Sequence, residues 1–210
     1  MLSPTTFTLA LAGALLSLAS CASTGAELSA STVGSLDDLS SEMKKSNEQI
    51  KATMAALDEL TKTTDLGAKY KTYRSELARL ESTANRSAKN TESMVNRAKT
   101  YFTAWEDQLD NITSPIVRKL SQERGEAALE RFERLSANVQ AVKEAVDVLM
   151  LDLIDIRVYL DFNLNAEGVS TAKPLFAQAR SDAAIVRELQ AQVNSQLLQV
   201  SGAMSAKISP

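Results

Sequence analysis

Apolar residues recur along most of the chain at the seven-residue spacing of helices that pack along a shared seam. The first such segment carries Leu36, Leu39, Met43, Ile50, Leu57 and Leu60. The clearest segment has apolar residues at every position of two interleaved heptad series, namely Phe132, Leu135, Val139, Val142, Val146, Leu149, Leu153, Ile156 and Leu160. This pattern predicts long amphipathic helices rather than strands.

Breaks between the periodic segments predict the number and order of the helices. The stretch "TTDLG", which ends at Gly67, predicts the end of a first helix near Thr63. Ser114 and Pro115 have the residue types of an N-cap and a first helical position, which predicts the start of the third helix. The stretch "NLNAEG" predicts a break before a last helix that begins at Ser170 or Thr171. Its predicted seam residues are Leu175, Ala179, Val186, Leu189, Val193, Val200 and Met204.

The connections between these long segments are short, which implies antiparallel neighbours. We therefore predict an all-α fold over residues 35–210, an elongated antiparallel up-down bundle with coiled-coil heptad packing. It should contain three long helices and a shorter N-terminal one. Residues 21–34 are small and polar and are predicted to form a flexible tether.

The third helix carries more apolar residues than one seam requires. Val148, Met150, Leu151, Ile154 and Val158 all lie off the seam between Val146 and Phe162. An apolar surface this wide predicts a helix that is buried on two or more sides, either within one chain or against a second copy.

The composition excludes several functional classes. The 210 residues include no histidine and one cysteine, which excludes histidine-dependent catalysis, histidine-ligated haem and structural zinc sites. A net charge of −3 without long runs of one sign gives no nucleic-acid footprint. We therefore predict no enzyme activity, no cofactor, no metal site and no nucleic-acid partner.

Four aspartates are the remaining candidates for chemistry. Asp147, Asp152, Asp155 and Asp161 punctuate the apolar part of the third helix. Lys143 and Arg157 each lie four residues before one of them, so we expect solvated or paired carboxylates rather than a cation site.

The N-terminus resembles that of a bacterial lipoprotein. An apolar block at residues 7–18 has the length of a signal-peptide core and is short for a membrane span. Leu18, Ala19, Ser20 and Cys21 then match the lipobox. The resemblance implies a signal peptide over residues 1–20 and acyl chains on Cys21, with Ala22 in the next position implying the outer membrane. Cleavage after Ala22, giving a secreted protein, and an uncleaved helix are the alternatives.

A few residues outside the seam pattern are candidates for partner contact or helix register. Phe102 and Trp105 lie in an aromatic group near the end of the second helix, and Trp105 is expected to pack on the third helix. Asn163 and Asn165 lie at the end of the third helix, where an asparagine can set register or contact a ligand. Residues 82–93 carry no apolar side chain larger than alanine, which allows close helix approach, a flexible waist or a partner groove.

Three short blocks resemble the bacterial family called domain of unknown function 2959. They are "AWEDQL" at 104–109, "RKLSQE" at 118–123 and "YLDFNLNA" at 159–166. The resemblance implies a helical, envelope-associated lipoprotein and supplies no catalytic residues.

The leading hypothesis is a bacterial envelope protein without enzyme activity, anchored by N-terminal acyl chains at the periplasmic face of the outer membrane. It would serve as a structural adaptor, spacer or regulator of another envelope protein, or associate with itself. The alternative is a periplasmic bundle that binds a hydrophobic ligand between helices two to four, where residues 146–162 carry excess apolar surface.

Overall fold

The computed structural model describes residues 25–204, which form five α-helices and no strand. The helices are α1 (Gly25–Glu59), α2 (Leu66–Leu109), α3 (Pro115–Phe162), α4 (Ala166–Thr171) and α5 (Lys173–Met204). The predicted all-α helical bundle is confirmed. At about 1.5 Å per residue, the 48 residues of α3 extend over roughly 72 Å.

The four long helices form a ring in which each packs against two neighbours. α1 packs on α2 and α5, and α3 packs on the same two helices. Cross-helix hydrogen bonds show that sequential long helices are antiparallel. The Tyr70 hydroxyl donates to the Arg157 carbonyl, whereas the Tyr73 hydroxyl donates to the Leu153 carbonyl, so residue numbers rise along α2 as they fall along α3.

The N-terminal helix is longer than the sequence pattern predicted. α1 begins at Gly25 and has 35 residues, against 32 in α5, so residues 25–34 belong to the bundle and not to a tether. Their small polar side chains pack between helices. Ser29 and Thr32 are buried, and the Thr32 hydroxyl lies 2.9 Å from the Leu28 carbonyl and 3.4 Å from that of Arg97 on α2. A bundle interface was therefore mistaken for a linker, because small polar residues are common in both.

The predicted seams of α1 and α3 are buried, including all nine positions of α3. The seam of α5 differs at its first position, where Leu175 is 45% exposed and Phe176 is fully buried. Both residues lie within one helical turn before buried Ala179, three or four positions away. Heptad spacing alone allows either Leu175 or Phe176 to be the buried seam residue. In the structure the larger Phe176 ring is buried.

The turns follow the predicted chemistry with shifted boundaries. Ser114 caps α3 by accepting a hydrogen bond from the Val117 amide, and Pro115 is the first helical residue. α1 ends at Glu59, earlier than predicted, and Asp65 caps α2 so that Gly67 lies inside a helix. The last break is filled by the short α4, and α5 begins at Lys173.

The wide apolar surface of α3 is not buried on a second side. Among its off-seam residues Met150 is buried and Ile154 is partly buried, whereas Val148, Leu151 and Val158 are 49–62% exposed and Phe162 is 87% exposed. The prediction of a second buried side is wrong for the single chain, because α3 meets α2 and α5 along one seam and its outer surface has no neighbouring helix within residues 25–204.

A buried carboxylate links α1 to α2. Burial raises the pKa of Glu42, but hydrogen bonds from Arg86 Nε at 2.8 Å and Lys45 Nζ at 3.2 Å outweigh it and lower the pKa below the ordinary 4.5. This pair stabilises the fold at neutral pH, and its contribution is lost as the pH falls through the lowered pKa.

Candidate functional site

The α2–α3 hairpin extends beyond the other long helices at one end of the bundle. The hydrogen bond from Thr32 to Arg97 places the start of α1 beside the last third of α2, and Ser29 contacts the Met204 carbonyl. α1 and α5 therefore reach this end together. Beyond them α2 continues to Leu109 and α3 returns from Pro115. We call residues 102–132 the hairpin tip and residues 110–120 its apex.

Aromatic rings join the two helices at the base of the hairpin tip. The Phe102 ring lies 5.2 Å from the Tyr101 ring and 5.9 Å from the Phe132 ring of α3. The Trp105 ring lies 5.7 Å from that of Tyr101. The structure thus brings Phe102 and Trp105 together, and both pack within the chain, as expected for Trp105.

Beside these rings a groove of about 490 Å³ opens between α2 and α3. Its apolar lining consists of Val95, Phe102, Trp105, Leu109, Leu129 and Phe132. The Trp105 indole N–H is buried and has no hydrogen-bond partner within residues 25–204. It faces Gly125, where a Cβ would lie 2.6 Å from the indole nitrogen. Sequence reasoning missed Gly125, although a single glycine inside a helical pattern is a recognised signal of close approach.

The apex exposes apolar side chains on the first turns of α3. Ile116 is 74%, Val117 52% and Leu120 62% exposed. The neighbouring backbone is satisfied by Arg118, whose guanidinium donates to the Ile112 carbonyl at 2.9 and 3.1 Å and to the Asp110 carbonyl at 3.4 Å. The apex therefore presents an apolar surface over a loop in which the carbonyls of Asp110, Ile112 and Ser114 are hydrogen-bonded. The sequence analysis did not single out these residues.

Asn163 and Asn165 lie at the opposite end of the bundle and shape the turn after α3. The Asn163 amide donates to the Tyr159 carbonyl at 2.9 Å, and the Asn165 side chain caps α4 by accepting from the Gly168 amide at 2.8 Å. These bonds within the turn explain why asparagines occur there. The two asparagines lie at the other end of the bundle from the groove and do not form a site with Phe102 or Trp105.

The four aspartates of α3 have separate surroundings. Asp147 pairs with Lys143 at 2.8 Å, as predicted. Asp161 accepts a hydrogen bond from Tyr70 at 2.8 Å and lies 3.7 Å from Arg74, so its partners come from α2 and not from Arg157. Within the part of the chain that the structure describes, no three acidic or cysteine side chains converge as metal ligands would.

Asp152 faces a second carboxylate across the α3–α5 interface. Burial raises its pKa, and so do the nearby carboxyl groups of Asp182 and Asp155. Asp182 is itself buried and accepts from the Gln178 amide at 3.0 and 3.2 Å. The two carboxyl groups therefore lower the stability of the bundle at neutral pH. They do not form a site with an evident ligand.

The small residues at 82–93 pack differently on their two sides. Toward α1 they allow close approach, since Arg86 reaches buried Glu42. Toward α3 they leave a cavity of about 250 Å³, lined by Ala84, Ala88 and Val142 among others. Gln190 borders this cavity, is 3% exposed and donates to Ser46 at 3.1 Å.

Leu18, Ala19, Ser20 and Cys21 lie outside the residues that the structure describes. The described chain begins at Gly25, four positions after Cys21. Among the described helices, none has the length and hydropathy needed to cross a membrane.

A sequence profile of one family matches residues 20–200, which is most of the chain and includes every helix up to the last turn of α5. The chain belongs to the protein family of unknown function DUF2959. The family resemblance inferred from the three short blocks is thereby confirmed. No curated protein and no solved structure matches the chain.

Replacing Gly125 tests the fit of the Trp105 indole against α3. Gly125→Ala should lower the free energy of unfolding by about 1–3 kcal/mol, because the new methyl group displaces the ring. Gly34→Ala is the control, since Gly34 is helical and has open space around it, so the alanine should stabilise by about 0.5–1 kcal/mol. Urea denaturation of both variants measures the difference, and equal stabilisation by both would contradict the close contact.

Neutralising Asp152 should stabilise the bundle at neutral pH. A raised folded-state pKa means that the carboxyl favours folding at low pH and that this contribution is lost as the pH rises through that pKa. Asp152→Asn should therefore raise stability by about 1 kcal/mol at pH 7, with the gain shrinking toward the ordinary pKa of 3.8. Thermal denaturation across pH checks this, with exposed Asp38→Asn as control. A gain that is independent of pH would argue against the carboxyl pair.

Proposed function

We propose that the protein is a lipid-anchored component of the bacterial envelope and that its bundle acts as an adaptor, spacer or regulator of another envelope protein. The observation that carries the proposal is the position of the lipobox. Cys21 precedes the first residue of a rigid four-helix body by four positions. An acyl anchor there would hold one defined end of the bundle at the membrane. Because Ala22 follows the acylated cysteine, the favoured location is the periplasmic face of the outer membrane.

Surface features support a role in binding rather than in catalysis. Val148, Leu151, Val158 and Phe162 form an exposed apolar strip along α3, of the kind that protein partners cover. On α3, Asp147 and Asp161 are paired within the chain, and Asp152 faces a second carboxylate and not a ligand. The family match, which begins at residue 20, includes Cys21 and excludes nearly all of the predicted signal peptide.

The anchor is tested on protein expressed in a bacterium that has an outer membrane. Mass spectrometry of the N-terminal fragment should show a chain that begins at Cys21 with a diacylglyceryl thioether and an N-acyl group. With the signal peptide replaced by one that is cleaved without acylation, Cys21→Ser should leave the membrane fraction, whereas Ser23→Ala in the native chain should remain in it. A free thiol in the native chain, or a cleaved Cys21→Ser variant with unchanged membrane location, would refute the anchor.

Crosslinking in the same cells tests the adaptor role separately. A photocrosslinker at Leu151, on the apolar strip, should capture one envelope protein in the native chain and lose it in the Cys21→Ser variant. Leu198 is equally exposed, at 62%, and serves as the control position on α5. Adducts of equal yield at both positions would count against a partner on this strip.

The groove at the hairpin tip favours a second candidate function, the binding of a hydrophobic ligand. Its volume of about 490 Å³ lies within the range of small-molecule sites, and its lining is mainly apolar and aromatic. It lies near the α2–α3 turn and not beside residues 146–162, where the sequence suggested a ligand.

Trp105 is the only tryptophan of the chain and lies in this groove, so it reports on occupancy. Anilinonaphthalene sulfonate should bind saturably and accept energy from Trp105. Leu129→Glu, in the groove, should weaken binding by about tenfold or more, while Leu198→Glu leaves it unchanged. No energy transfer, or equal transfer in both variants, would remove this candidate.

A further inference from the structure

The exposed residues at the apex lie at the same end of the bundle as the N-terminus of α1. Ser31 accepts a hydrogen bond from the Arg97 guanidinium at 2.6 Å, and Thr32 contacts the Arg97 carbonyl. Seven residues before Thr32, α1 begins at Gly25. In an antiparallel pair, that start lies level with a point seven residues after Arg97, which is residue 104 of α2.

The apex lies a short distance beyond that level. From residue 104, α2 continues to Leu109 and the chain then turns into α3 at Pro115. Five residues of helix add about 8 Å, and the turn brings the apex to roughly 10 Å beyond the start of α1 along the bundle axis. Nothing else among the described residues extends past α1 in this direction except the hairpin tip.

The chain between Cys21 and Gly25 limits how far the bundle can stand from a membrane. Four residues span at most about 14 Å when fully extended. If Cys21 is acylated, the lipid surface lies within that distance of Gly25. For an upright bundle the apex is then within about 4 Å of the surface at full extension of the chain, and it enters the surface when the extension is below about 10 Å.

We propose that the apex of the α2–α3 hairpin inserts into the same lipid surface that holds the acylated Cys21, making a second membrane contact. This inference rests on the proposed acyl anchor. The contacting side chains are Ile116, Val117 and Leu120, which the bundle leaves exposed. From Pro115 to Leu120 the helix rises about 7.5 Å, which matches the depth to which apolar residues enter the interface between headgroups and acyl chains.

The polar groups of the apex are compatible with this contact. Backbone carbonyls in a lipid interface are costly unless they are hydrogen-bonded, and Arg118 already donates to those of Asp110 and Ile112. The remaining charged side chains, Asp110 and Lys119, are of opposite sign. Because Arg118 keeps its charge, the apex has a net charge of +1, and a mixed zwitterionic and anionic surface accommodates it.

The test places a single tryptophan at the apex or at a matched control position. Trp105→Phe removes the native tryptophan, and Leu120→Trp or Leu198→Trp then introduces one at sites that are each 62% exposed. The full chain is reconstituted through acylated Cys21 into vesicles of phosphatidylethanolamine and phosphatidylglycerol that carry bromine near the headgroups. If Cys21 is not acylated by the cell, its thiol is coupled to a maleimide-bearing lipid in the same vesicles.

Bromine should quench the tryptophan at position 120 at least about twofold more than the one at position 198, with a shift of its emission to shorter wavelength. Equal quenching at the two positions would overturn the inference. A shift at position 120 that grows with protein density and comes without excess quenching by bromine would also overturn it, because it would indicate a second copy rather than lipid. If Trp105→Phe unfolds the protein, Leu120→Trp and Leu198→Trp are made in the chain that keeps Trp105. The quenching that each adds to that of the native chain is then compared.

The failure of the anchor and the failure of the apex contact are separable. Mass spectrometry of Cys21 reports on cellular acylation alone. Quenching reports on the apex whenever Cys21 is held at a surface, whether by the cell's lipid or by the coupled one.

Discussion

The register between α1 and α2 determines the shape of the whole bundle. Three α1 side chains bind backbone carbonyls of α2: Thr32 that of Arg97, and Gln49 and Thr53 that of Glu76, at 3.1–3.4 Å. Such bonds form only where the helices approach closely, which small residues such as Ser35 and Ala56 permit. A slip of one turn would break all three and separate Glu42 from Arg86. This fixed register sets how far α2 runs past the start of α1.

The consequence of that register is a molecule with two distinct parts. A four-helix body surrounds the continuous core from Leu36 to Val200, and a two-helix hairpin continues from one end. The body supplies an exposed strip on α3, and the hairpin supplies a groove and an apolar apex. The proposed anchor lies at the hairpin end, so the body with its strip is directed away from the membrane.

The helices and their seams could be predicted because heptad periodicity is a local signal that repeats many times. The nine buried positions of α3 follow from it directly, and the start of α3 follows from the capping residue types of Ser114 and Pro115. The start of α1 could not be predicted in this way, since Ser29 and Thr32 bury small polar groups that also suit a linker. The choice of Phe176 over Leu175, and the exposure of Val148 and Leu151, depend on which helices are neighbours. The groove depends on Gly125 meeting Trp105 across two helices, a pairing that no single segment encodes.

The hairpin tip has an energetic consequence, since among residues 25–204 it consists of two helices. Beyond the described ends of α1 and α5, each residue of α2 and α3 has one neighbouring helix within that range, and most of residues 115–124 are exposed. Local opening of a segment costs less when it exposes less apolar surface. Amide hydrogens of the tip should therefore exchange through partial unfolding, with the body intact, while those around Leu153 exchange only when the whole bundle opens. The end of the bundle nearest the proposed anchor should thus open more easily than the four-helix body.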